Sequence, residues 1–199
     1  MSFRSTINKV LVRLREDTIT SDWSGAINDS TDVDDYHKLV GEFVNEAKTI
    51  VEDSWNWGAL RTVIAISTTS GTSQYTVTGV NNRSRILQVI DSTNNSLLNQ
   101  TSDDYFYNVT YTGTSSNGVP VYYRLNNNTI DFWPTPGGTY AIKIHAVDVP
   151  DDLTLAAATF SVQEHLVVLG AYALALAERG EDGGTPSDQA MIRFRTALT

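Results

Sequence analysis

The sequence predicts an α+β chain: a four-helix bundle formed by both termini, with an antiparallel β subdomain inserted between them. Three observations carry this expectation. Apolar residues recur at helical spacing near both ends, as in Ile7, Val10, Leu11 and Leu14. Between about residues 60 and 150 the period shortens to two, punctuated by Gly, Pro and Asn clusters. This β block of roughly ninety residues is far longer than an ordinary connection. The expected domains are residues 1–59 plus 151–199 as the helical bundle and 60–150 as the inserted subdomain.

Taken in order, a first helix is expected over Ser5–Glu16, with its stripe of Ile7, Val10, Leu11 and Leu14. A polar linker, Asp17–Asp32, follows, with Trp23 and Ile27 as candidate anchors. The second helix starts near Asp32 or Asp34, where acids suit the positive end of the helix dipole. Its spacing runs through Val40, Val44, Ala47 and Val51 to Ser54-Trp55-Asn56-Trp57-Gly58, whose tryptophans read as a core lid. Strands are then expected over Leu60–Ser67, Gln74–Thr78, Arg85–Asp91 and Ser96–Leu98. Thr101 or Ser102 caps a short helical turn through Phe106, and Thr112–Asn117 reads as a flexible polar loop.

Gly118–Tyr140 reads as a β-meander. Val119, Val121, Tyr123 and Leu125 alternate with Pro120, Tyr122, Arg124 and Asn126, then Asn126-Asn127-Asn128 makes a turn. Pro134, Pro136 and Gly137-Gly138 end the next strand. The last strand, Thr139–Val147, places Ile142, Ile144 and Ala146 on one face and Ala141, Lys143 and His145 on the other. Beyond Pro150, Ser161 with Glu164 three residues on matches a capping box, opening a small, apolar helix that runs to about Arg179. Gly180–Gly184 breaks it. Thr185-Pro186-Ser187-Asp188 starts a last helix with Met191, Phe194, Ala197 and Leu198 as its apolar stripe.

The 41% apolar content supports a real core, and the formal net charge of −9 argues against a general nucleic-acid binder. An acidic surface serves solubility or repels another polyanion. With no cysteine there are no disulfides and no thiolate metal ligands. No run reaches the roughly 20 apolar residues of a membrane span. Arg4, Lys9, Arg13 and Arg15 precede the first acid, a transit-peptide trait, but the apolar stripe favours a packed helix.

Catalytic patterns are not evident. His37, His145 and His165 have no neighbours at metal-ligand spacing, and the acid pairs Asp34-Asp35, Asp103-Asp104 and Asp151-Asp152 suit helix starts and a turn. There is no nucleophile elbow, phosphate loop or dinucleotide fingerprint, so neither an enzyme nor a cofactor is expected. The aromatics Tyr105, Tyr107, Tyr111, Tyr122, Tyr123, Trp133 and Tyr140 read as cross-strand packing, or as a stacking platform of a carbohydrate- or receptor-binding virion module.

An amphipathic helix pair ends in a Trp-rich segment. After it come G-x-P-x-x-Y from Gly118 to Tyr123, I-D-F-W-P-T-P-G-G-T-Y from Ile130 to Tyr140, P-D-D-L at Pro150–Leu153, and a closing helix of the E-H-L-V-V-L-G-A-Y-A-L-A kind. In this order the chain resembles the head-to-tail adaptor proteins of tailed bacteriophages, most closely the tail tubular protein A type of short-tailed phages. The resemblance implies a homo-oligomeric ring, usually of twelve copies, at the virion neck beneath the portal protein. Such a ring is assembled in the host cytoplasm, joins the portal to the tail tube or nozzle protein, and passes genomic DNA through its lumen without specific binding. It implies no membrane partner, no metal and no catalytic residue. Beside it, the acidic excess is expected to line part of the channel, and the last helix, through Arg193, Phe194, Arg195 and Leu198, is expected to contact the portal.

Overall fold

The computed structural model describes residues 2–81, 83–112, 117–180 and 185–199. In chain order its helices and strands are α1 (Phe3–Leu14), α2 (Asp35–Ser54), β1 (Arg61–Ser67), β2 (Gln74–Thr76), β3 (Arg85–Asp91), β4 (Ser96–Gln100), α3 (Asp103–Thr112), β5 (Asn117–Gly118), β6 (Tyr122–Asn126), β7 (Thr129–Trp133), β8 (Thr135–Pro136), β9 (Ala141–Val147), α4 (Glu164–Arg179) and α5 (Thr185–Leu198). They fall into two units, one of Met1–Ala59 with Pro150–Thr199 and one of Leu60–Val149.

In the helical unit, Ser2 caps α1 by accepting from the Ser5 N–H at 3.3 Å, and the expected stripe of Ile7, Val10, Leu11 and Leu14 is buried. The helix ends at Leu14 because Arg15 turns left-handed (φ 60°) and its N–H closes back on Leu11 and Val12. Helix α2 buries Val40, Val44, Ala47 and Val51, and Trp23 and Ile27 anchor the linker before it.

Helix α4 is the hub. Leu166, Val167, Gly170, Ala171, Ala173 and Ala175 are buried on several of its faces, and α1, α2 and α5 all pack on it. All three neighbours meet on α4, and α5 packs chiefly there. Small side chains are the reason, since Ala and Gly let each neighbour approach α4 separately. A Cβ on Gly170 would lie 2.9 Å from both Ala47 Cβ and Phe194 Cζ. The expected capping box is corrected. The N-cap is Gln163, without a side-chain bond, and Glu164 instead accepts from Thr6 Oγ1 at 2.8 Å and Lys9 Nζ at 2.6 Å on α1. At the far end Gly180 (φ 59°) closes α4 in the left-handed conformation; the expected break at Gly180–Gly184 otherwise lies outside the described residues.

The strap that returns the chain from Pro150 to α4 is held by polar groups. Asn45 pairs with both backbone groups of Leu153, donating at 3.0 Å and accepting at 2.9 Å. Lys48 Nζ, fully buried, donates to the carbonyls of Pro150 and Asp151 at 2.9 and 3.0 Å and pairs with Glu52 at 3.2 Å. Trp23 Nε1 and the Ile27 N–H both donate to Thr154 O at 3.0 Å.

The second unit is a curled seven-stranded sheet in the order β1-β9-β3-β4-β6-β7-β2, beside a two-stranded ladder of β5 and β8. Its core is Val77, Val89, Leu98, Tyr123, Ile130, Phe132, Ile142 and Ile144. The two faces of β9 are as its alternation predicts, with Ile142, Ile144 and Ala146 buried and Ala141 and Lys143 exposed. The wholly antiparallel expectation is corrected: β4 pairs with β6 in parallel, and β5 with β8 likewise. Parallel neighbours need a crossover connection. Helix α3 supplies it, and is a full ten residues where only a short turn was expected. The expected loop at Thr112–Asn117 lies mostly at residues 113–116, outside those described.

Candidate assembly surfaces

Helix α4 leaves one stripe accessible: His165, Leu169, Tyr172 and Leu176, at the spacing of one helical face. Helix α1 flanks it with Arg4, Lys9, Val12 and Arg13, and α5 with Gln189 and Arg193. The α1 side opens into a groove of about 630 Å³ and the α5 side into one of about 190 Å³, with Arg13 lining both. On the α5 side the floor of Leu169, Tyr172 and Leu176 is apolar with Arg13 and Arg193 at its rims, whereas the α1 side carries Glu164 and His165 beside Arg4 and Lys9. Lys9 is held by Glu164, and Arg4 by Asp22 at 2.8 Å. Burial alone would raise the Glu164 carboxyl, but hydrogen bonds from Lys9 and Thr6, with the Lys9 charge, outweigh it and hold its pKa below the ordinary value. Arg13 lies 6.0 Å from the Tyr172 ring centroid, and neither it nor Arg193 has a carboxylate partner among the described residues.

The four residues expected at the portal divide in two. Arg193 and Arg195 are exposed on α5 and Leu198 is half-buried, its carbonyl accepting from Trp55 Nε1 at 3.1 Å. Phe194 is buried against Gly170 and fastens α5 to α4. Phe194 is thus a core residue here, because the apolar stripe that made it a candidate is the one α5 needs for its own packing. Trp55 is largely exposed and joins the lid role expected of it through its indole N–H.

In the sheet unit the aromatics separate similarly. Tyr123 is core, while Tyr105, Tyr107 and Tyr111 stand exposed on α3. Tyr105 meets Tyr122 at 5.7 Å between centroids, and Tyr122 meets Trp133 at 5.9 Å, a chain of ring contacts that is packing first. A hydrogen bond with Tyr122 raises the Tyr105 phenol above its ordinary pKa. The residue that organises this face is Arg124. Its guanidinium donates to Asp131 from Nε at 3.1 Å and Nη2 at 2.5 Å, and lies 4.8 Å from the ring centroids of both Phe106 and Tyr107. Bonds to Tyr107 and Asp131 raise its pKa further.

Neither the α4 groove nor the Arg124 clamp is among the residues singled out from the sequence. The basic positions 4, 9 and 13 opposite the α1 stripe, and an Arg facing an Asp across a hairpin, were the available signals. Among the described residues no three His, Asp or Glu side chains gather as a metal site, and no helix is long and apolar enough to cross a membrane.

No curated protein matches the chain. A family model described as SU10 adaptor protein matches residues 1–199. The match spans the whole sequence, so the chain belongs to the SU10 adaptor protein family, and its coarse identity is that of a structural head-to-tail adaptor of a tailed phage.

Proposed function

We propose that this chain is an adaptor of the tail tubular protein A type, which assembles as a twelve-copy ring under the portal and joins it to the tail tube or nozzle. The observation that carries the reading is the whole-chain family match. DNA passes through the lumen unheld, and part of the acidic excess behind the −9 net charge faces it, where unpaired carboxylates repel the phosphate backbone. The protein acts by shape and contact, takes no cofactor, and resides at the virion neck after assembly in the host cytoplasm.

The portal contact is made by the exposed side of α5, through Arg193, Arg195 and the end at Leu198, with Phe194 holding that helix in place. Deleting Ile192–Thr199 would remove Phe194 as well, so surface substitution is the cleaner probe. Electron microscopy of portal-bearing heads mixed with the protein should show a twelvefold ring docked beneath the portal. Arg195→Glu should abolish docking while leaving the thermal melt unchanged. Normal docking by that variant removes the α5 contact. Heads that recruit no ring from the wild-type protein remove the function, and a predominantly basic lumen in the assembled ring removes the DNA-repelling role.

A further inference from the structure

The outer face of α2 is the chemical complement of the α4 groove. Its buried residues Val40, Val44, Ala47 and Val51 look inward. On the opposite side Leu39, Glu42, Glu46, Ile50 and Asp53 fall on one helical stripe, all exposed. The stripe carries three acids, Glu42, Glu46 and Asp53, and two aliphatics, Leu39 and Ile50. Leu39 and Ile50 are each 37% exposed. The α5 side of the groove presents the inverse pattern: a floor of Leu169, Tyr172 and Leu176, with Arg13 and Arg193 along its rims. From Leu169 to Leu176 the floor runs about 11 Å, within the span of about 21 Å that the stripe covers from Leu39 to Asp53, at 1.5 Å per residue.

We infer that the α4 groove of one copy receives the α2 stripe of a second copy of this chain, with Glu42 and Glu46 meeting Arg13 and Arg193. The two surfaces lie on different faces of the same unit, since α2 packs on α4 with the side opposite its stripe. A copy cannot satisfy its own groove. The contact is therefore heterologous, each copy giving a stripe to one neighbour and a groove to the other, which forms a ring where the rotation between copies closes. The inference rests on the ring reading above and names its lateral surface. It also accounts for two arginines, Arg13 and Arg193, with no carboxylate partner among the described residues.

The test uses two full-length variants. One carries Glu42→Lys and Glu46→Lys, making the stripe basic; the other carries Arg13→Glu and Arg193→Glu, making the groove acidic. Each alone opposes like charge to like, and self-association measured by sedimentation velocity at low salt should weaken about tenfold or more. Mixed in equal amounts, basic stripe meets acidic groove and acidic stripe meets basic groove. Association should return to within about threefold of the wild-type protein, in assemblies where the variants alternate. Recovery on mixing also shows that both variants are folded. A mixture no better than either variant alone overturns the inference. A wild-type chain that forms rings indifferent to both reversals keeps the ring and removes this surface. A wild-type chain that stays monomeric at every concentration up to the millimolar range overturns the surface and the ring together.

Discussion

Among the described residues Lys48 is the single cation that the helical unit buries outright, and its three partners explain why it is tolerated. Two strap carbonyls and the Glu52 carboxylate surround the ammonium at 2.9 to 3.2 Å. Taking an ion pair from water costs several kcal/mol, which only good geometry and further hydrogen bonds offset. Lys48→Ala leaves the Glu52 charge buried without its cation and frees the strap carbonyls. We expect a loss of about 3–5 kcal/mol in urea unfolding, with Lys48→Met plus Glu52→Gln losing less because no charge is stranded; equal losses would mean the pair itself contributes little. Glu164 makes a different case. Its folded pKa lies below the unfolded value, so its contribution is fully present above the unfolded pKa of about 4.3 and is lost as pH falls through the folded pKa. Glu164→Gln should therefore lower the melting temperature at neutral pH and make little difference under strongly acidic conditions. A deficit that persists unchanged into acid would assign the effect to packing against Thr6 rather than to charge.

Helix α4 shows how one residue sets the spacing of elements. Gly170 lies where α2 and α5 approach from two sides, and an added methyl would meet Ala47 and Phe194 below ordinary contact distance. Alanine is the better helix former by about 1 kcal/mol, but overpacking a tight core costs about 1–3 kcal/mol, and here two helices must move. Gly170→Ala should lower the thermal midpoint, and Phe194→Leu in the same chain should recover part of the loss; a neutral or stabilising Gly170→Ala would show that α5 yields freely. The sequence made such helices legible because their apolar spacing is local. The stripes of α1 and α2, the alternation of β9 and the anchors Trp23 and Ile27 all follow from residues within a few turns of one another. Helix α3 was legible only as a short turn, since Asp103–Thr112 is rich in Tyr, Thr and Val, which lean toward strand. Tertiary packing decides it, with Arg124 seated against Phe106 and Tyr107. The parallel β4–β6 pair depends on that crossover and has no local signal. For the same reason the α4 groove, built from residues 4–13, 165–176 and 186–193, has no contiguous motif to read.

At the scale of the molecule, the chain leaves the helical unit after Ala59 and returns to it at Pro150. The sheet unit's ends lie side by side: β1 pairs with β9 through Arg61 and Val147, and the Asp148 N–H donates to Leu60 O at 2.8 Å. Adjacent ends are the condition under which one domain can be inserted into another without stretching its host. The strap contacts of Asn45 and Lys48 begin immediately after the return, at Pro150, and belong wholly to the helical unit. Each unit also has its own buried apolar core, and both exceed the roughly 40 residues below which a domain needs covalent or metal support. We therefore expect Leu60–Val149, expressed alone, to melt cooperatively as a β protein. Residues 1–59 joined to 150–199 by a short Gly-Ser linker should melt cooperatively as a helical one. The sum of their circular dichroism spectra should reproduce that of the intact chain. A β fragment that folds beside a helical fragment without a transition would mean the sheet supports its host. Failure of both would mean the two units form one cooperative structure. Because the stripe and the groove both lie in the helical unit, its linked form should also retain self-association, and charge reversal at Glu42 and Glu46 should weaken it there as it does in the whole chain.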